Sequence, residues 1–103
     1  MHEFSVTATA PGPAATVVVT GDVDLATADR LHTAVRPLVV PGSEIRVDCA
    51  GVQFLDSAGL RVLLALDRAT HDVGAALVLT APSDVVTRTL RLAGVAGVFT
   101  VHS

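Results

Sequence analysis

The feature that most constrains this chain is a regular switch between two hydrophobic periods, with glycine or proline at most of the switches. Stretches of alternating or continuous apolar residues suit strands; stretches with a period near 3.6 suit helices. Phe4 to Ala10 and Thr16 to Thr20 read as two strands joined by a hairpin-like turn at Pro11-Gly12-Pro13. Val17-Val18-Val19 is a continuous β-branched run, as expected of a strand buried on both faces. Gly21 breaks that strand. After Asp22-Val23-Asp24-Leu25 the period turns helical, with Ala28, Leu31, Val35 and Leu38 on one face, and Pro37 ends or bends the helix. Pro41-Gly42-Ser43 is a loop. Glu44 to Ala50 is a strand in which Ile45, Val47 and Cys49 alternate with Arg46 and Asp48.

A loop follows from Gly51 to Asp56, anchored by Val52, Phe54 and Leu55. The next helix begins near Ser57, carries Leu60, Leu63, Leu64 and Leu66, and stops at Gly74. Ala75 to Thr80 is a buried strand. Ser83 or Asp84 caps a third helix after Pro82. Its inner face is Val85, Val86, Leu90 and Ala93, and Gly94 ends it; Val98 to Val101 is a last short strand. The order β-β-α-β-α-β-α-β predicts an α/β fold with a mostly parallel sheet and right-handed crossovers. The opening hairpin makes that sheet mixed. At 103 residues, half of them hydrophobic, the expectation is one domain over residues 1–103 with one core.

Composition removes several functions. Seven arginines against ten acidic residues give a net charge of −3, so no nucleic-acid partner is expected. The chain has no lysine, which removes P-loop, Schiff-base and protein-kinase chemistry. Tryptophan and tyrosine are absent, so there is no stacking platform for bases. Cys49 is the only cysteine; it reads as a core filler in a reducing cytoplasm. The four histidines and Cys49 have no metal-ligand spacing, so neither metal nor cofactor is expected. No apolar run approaches the roughly 20 residues that span a bilayer. Met1-His2-Glu3 lacks a signal-peptide pattern. A cytoplasmic protein without membrane insertion is the expectation.

Two patterns suggest catalysis and fail on inspection. Asp22-Val23-Asp24 after a buried strand resembles the start of a haloacid-dehalogenase-type phosphatase, but such enzymes need a lysine, a longer chain and a further acidic pair. The two aspartates read instead as residues of a solvated strand-to-helix turn. Leu55-Asp56-Ser57-Ala58-Gly59 resembles a nucleophile elbow, with Leu55 where the first glycine belongs. His71 lies roughly 20 Å along the helix that Ser57 begins, at 1.5 Å per residue, and His102 sits on the terminal tail. Neither completes a hydrolase. What remains at Ser57 is its position at a helix N-terminus. There it serves as an N-cap, and the free N–H groups also tolerate a phosphate. Ala58 and Gly59 leave its hydroxyl open to another protein's active site, while Asp56 repels a phosphate.

Gly21-Asp22-Val23-Asp24-Leu25-Ala26-Thr27-Ala28 is similar to the glycine-acidic-apolar-aspartate signature of STAS domains. The stretch from Val47 to Leu60, with Phe54-Leu55-Asp56-Ser57-Ala58-Gly59-Leu60 at its end, resembles the core motif of the anti-sigma factor antagonists. Pro82-Ser83, Leu92-Ala93-Gly94-Val95 and Phe99 also fit, so the likeness runs from about Phe4 to Val101. The resemblance implies a mixed sheet with helices mainly on one face. It implies a non-enzyme that binds an anti-sigma factor, itself a serine kinase with its own ATP and Mg, and so releases the sigma factor. The kinase then phosphorylates the antagonist, which dissociates, and a serine phosphatase resets it. Carried over, Ser57 is the phosphoacceptor and Asp22 and Asp24 line the contact surface. Asp56, Ala58, Gly59, Leu60 and Arg61 start the docking helix. The family often carries a closing C-terminal helix, for which this sequence has only a short tail after Phe99. STAS domains also serve as scaffolds of stress-signalling complexes and as small subunits of lipid-transport ATPases, which is the alternative role.

Overall fold

A computed structural model describes residues 2–10 and 14–103. The turn expected at Pro11-Gly12-Pro13 lies outside the described residues. The elements are β1 (Ser5–Thr9), β2 (Ala14–Val23), α1 (Ala28–Val35) with a 3-10 turn at Arg36–Leu38, β3 (Glu44–Leu55), α2 (Ser57–Asp72), β4 (Ala76–Thr80), α3 (Asp84–Leu92) and β5 (Thr100–His102). They form one five-stranded sheet in the order β1-β2-β3-β4-β5. β1 pairs with β2 antiparallel, and the other three pairings are parallel.

That order decides where the helices go. From β2 onward each strand is added on the same side of the last, so right-handed crossovers place every helix on the same face. One core joins the three helices to that face. Leu31 of α1, Leu66 of α2 and Leu90 of α3 meet Val17, Val47 and Leu79 of the strands. Among the described residues no helix covers the opposite face, and this corrects one expectation. Val17 and Val19 are buried, but Val18 between them is 40% exposed. A β-branched run is compatible with a two-sided strand; here it belongs to a one-sided one.

Two strand boundaries also differ from expectation. β2 does not stop at Gly21 but runs on to Val23, and β3 runs through the expected loop to Leu55. The two continue to pair up to Asp22↔Phe54 and Val23↔Leu55, across two irregularities in register. Such bulges let a ladder absorb extra residues without ending. Gly21 is required by one of them. It has φ +85°, and a Cβ there would lie 1.9 Å from the backbone oxygen of Glu3. The N-terminal segment crosses directly over it, and the Asp22 N–H donates to the His2 carbonyl at 3.2 Å.

The expected helix ends mostly hold. Gly74 has φ +69° after α2, in the left-handed conformation that suits a helix stop. Ser83 caps α3: its Oγ accepts from the Val86 N–H at 3.4 Å and donates to the Val52 carbonyl at 2.7 Å. Ala93 is exposed, so the inner face of α3 is Val86 and Leu90, with Val85 at its margin. The last strand begins at Thr100, later than expected, because Val98 turns back to donate to the Val95 carbonyl at 3.0 Å.

Candidate functional site

β2 and β3 are parallel neighbours, so their C-terminal ends emerge together and feed the N-termini of α1 and α2. The Asp56 N–H donates to the Val23 carbonyl at 3.1 Å, which sets the second strand end beside the first. Asp24, Leu25, Asp56 and Ser57 therefore share one rim of the sheet.

Each acidic residue on this rim has a defined occupation. Asp22 is only 8% exposed. Its carboxylate accepts from the His2 backbone N–H at 2.9 Å and meets the His2 imidazole Nδ1, also at 2.9 Å. The His2 amide, helped by the imidazole, holds the Asp22 carboxyl below its usual range against the opposing effect of desolvation. Asp22 thus faces the N-terminal segment. Asp24 builds the turn into α1: its Oδ1 accepts from the N–H groups of Ala26 and Thr27 at 3.0 and 3.2 Å. Its carbonyl accepts from the Ala28 N–H at 2.8 Å.

Asp56 takes the N-cap of α2, where Ser57 stood as a candidate. Its backbone is extended, and its Oδ1 accepts from the Gly59 N–H at 3.0 Å. Asp and Ser are about equally good caps, and a carboxylate gains further from the positive end of the helix. Ser57 moves to the first helical position. Its side chain is exposed, and among the described residues its hydroxyl has no hydrogen bond.

The rest of the helix start divides by direction. Gly59 is buried; a Cβ there would come within 2.7 Å of the Val23 carbonyl and of the side chains of Val23 and Leu55. It lets α2 close on the end of β2. Leu60 packs at the margin of the core. Ala58 and Arg61 border a shallow groove between α1 and α2, with Leu25, Ala28, Val62 and Ala65. Two apolar side chains stand out, one near each strand end. Leu25, which sequence reasoning left outside the site, is 82% exposed. Phe54, expected to anchor its stretch as the buried Val52 and Leu55 do, is 48% exposed because it falls outside the core-facing positions of β3. The signal for Leu25 was a leucine inside an otherwise polar turn.

No cluster of three potential metal ligands occurs among the described residues. Desolvation pushes the buried Cys49 thiol up to about 12, so it is not a nucleophile at neutral pH. His71 lies in the last turn of α2, its imidazole 3.4 Å from Asp67 and at the far end of the helix from Ser57. Among the described residues, no helix is long and apolar enough to cross a membrane.

The family model described as "Mlab, STAS domain" matches residues 6–101. No curated protein matches the chain. Solved structures do. An anti-sigma factor antagonist from Mycobacterium paratuberculosis is 25% identical with a TM-score of 0.78, over 97% of this chain and 86% of that one. The Bacillus cell fate determinant SpoIIAA, in its phosphorylated form, is 16% identical with a TM-score of 0.73, over 98% of this chain and 91% of that one. A sulfate transporter family protein from Wolinella succinogenes is 19% identical with a TM-score of 0.74, over 91% and 80%.

Proposed function

The chain belongs to the STAS domain family, and we propose that within it the protein is an anti-sigma factor antagonist switched by phosphorylation of Ser57. The observation that carries the reading is the contrast at the rim. Asp22, Asp24 and Asp56 are all engaged in hydrogen bonds, while among the described residues the Ser57 hydroxyl is exposed and unengaged, on the rim that also carries the exposed Leu25. The likeness to an anti-sigma factor antagonist at 25% identity supports it.

In this reading the partner is an anti-sigma factor serine kinase that docks on Leu25, Ala58, Arg61 and their surroundings, and brings its own ATP and Mg. Docking releases the sigma factor. Ser57 Oγ then attacks the γ-phosphorus; the bond from that phosphorus to ADP breaks, and the hydroxyl proton passes to a base on the kinase. In this reading the chain is a substrate and a binding module: the adjacent Asp56 carboxylate is occupied by the Gly59 and Leu25 N–H groups, and the base comes from the kinase. The new phosphate adds roughly −1.5 to −2 charge beside the Asp56 carboxylate. A differential of about 3 kcal/mol weakens binding more than 100-fold. A serine phosphatase restores the hydroxyl, and the whole cycle belongs in the cytoplasm, with ATP and the sigma factor.

Intact-mass measurement after incubation with candidate anti-sigma kinases and Mg-ATP tests this. One added phosphate on the wild type and none on Ser57→Ala is the expected result. Ser57→Ala keeps partner affinity and Ser57→Asp weakens it; equal affinity of the two variants ends the switch reading. The second reading is a non-switching STAS scaffold or accessory subunit of a stress-signalling or lipid-transport complex. The shared fold of a sulfate transporter family protein is what favours it. It requires a stable complex with a larger protein, indifferent to Ser57→Asp.

A further inference from the structure

We infer that Asp56 is a positioning residue that couples the state of Ser57 to the loop presenting Leu25, an inference that rests on Ser57 being the phosphoacceptor. The two oxygens of this carboxylate serve two different elements. Oδ1 accepts from the Gly59 N–H at 3.0 Å and caps α2. Oδ2 accepts from the Leu25 N–H at 3.2 Å, in the loop between β2 and α1.

The second bond has no substitute. The other hydrogen bonds of the Asp24–Thr27 turn stay within the turn, reach the first residues of α1, or return to the Asp22 carbonyl. Among the described residues, Asp56 Oδ2 is the only hydrogen-bonding group of the α2 side that holds this turn. Packing does not replace it, because the Leu25 side chain is 82% exposed. Asp24 and Thr27 shape the turn, and the Asp56 carboxylate is the hydrogen-bond tie between the Leu25 backbone and the α2 side.

Ser57 is the residue next to that carboxylate. A phosphate on its Oγ puts a second anion at the same helix end. Two anions so close repel, and they compete for the same few N–H groups of the first turn. The dianionic phosphate prevails over the singly charged carboxylate, and Asp56 swings away. Leu25 loses its acceptor, and the turn loosens. Phosphorylation then acts on the docking surface twice, once by added charge and once by releasing its most exposed apolar side chain.

Amide hydrogen exchange measured by NMR tests this on the full chain, with phosphoserine incorporated at position 57 during translation so that no kinase is involved. In the wild type the Leu25 N–H is protected, and phosphoserine raises its exchange about tenfold, as expected for loss of one hydrogen bond to a charged group. In Asp56→Ser, which keeps a good cap for Gly59 but has no second oxygen, Leu25 exchanges fast already and phosphoserine adds nothing. A purely structural cap predicts the opposite: the response of Leu25 to phosphoserine survives in Asp56→Ser. That result, or a Leu25 amide that phosphoserine leaves unchanged in the wild type, overturns the inference. Should Asp56→Ser not fold, Asp56→Asn makes the same separation, since its amide oxygen caps Gly59 and its NH2 cannot accept from Leu25. Failure of every kinase to phosphorylate Ser57 bears on the switch reading alone and leaves this result standing.

Discussion

The ends of β2 and β3 are built from similar parts and behave differently. Each strand runs out through an aspartate into a helix on the same face of the sheet. At the end of β2 the polar groups close on their own surroundings. Asp22 is bound by His2, and Asp24 by the turn that starts α1. At the end of β3, Asp56 performs both structural tasks by itself, capping α2 and holding Leu25, and the next residue is left free. At this strand-to-helix junction one residue satisfies the local backbone and its neighbour is left exposed. The difference lies in one position of register between cap and helix, not in composition.

The comparison breaks first at Gly21. Here a side chain faces both an unfavourable φ and the Glu3 backbone at 1.9 Å. Gly21→Ala forces the N-terminal segment off the sheet. That segment carries Phe4, which is buried in the core and lies under the Arg30 guanidinium at 4.9 Å from its ring centroid. The expected loss is about 3 kcal/mol or more, comparable to removing a buried phenylalanine. Urea unfolding of the variant measures it. A loss under 1 kcal/mol means that the segment does not brace the end of β2.

Asp24→Ala comes next and sharpens the contrast with Ser57. It removes the oxygen that accepts from Ala26 and Thr27 at the start of α1, where Thr27 itself makes no side-chain cap. Removal of such a group costs about 1 kcal/mol. The cost appears in the denaturation midpoint with the slope unchanged. If Asp24→Ala is neutral, the end of β2 is not held as its hydrogen bonds suggest, and Asp24 is free to serve the partner.

Much of this arrangement was legible in the sequence. The switching periods gave the order of elements; that β2 and β3 are neighbours was only a condition of the shared rim, and the sheet order supplies it. The strand ends were not legible. Gly21 and the Gly51–Leu55 stretch look like breaks because local propensity cannot see that β2 and β3 go on pairing across bulges. Ser57 and Asp56 are equivalent as caps to any rule of sequence, and only the backbone shows which of the two is extended. Asp22 was placed on the rim from its neighbours, whereas its partner His2 stands twenty residues earlier. Leu25 escaped notice for a related reason: its backbone N–H finds its acceptor on Asp56, 31 positions away.

Ser57→Ala is the smallest expected change and the sharpest test of the contrast. The variant keeps Asp56 and therefore the cap, the Leu25 bond and the junction with Val23. Alanine also has the better helix propensity, by less than about 0.7 kcal/mol. Stability should therefore stay within about 0.5 kcal/mol of the wild type, on the favourable side if it moves. Had Ser57 been the cap, the same substitution would cost about 1 kcal/mol. The two outcomes differ in sign, so a pair of denaturation curves decides whether the serine serves the fold. A neutral or favourable result means that the fold does not need this hydroxyl, as the proposed phosphoacceptor role requires; a loss of about 1 kcal/mol means that the serine serves the fold instead.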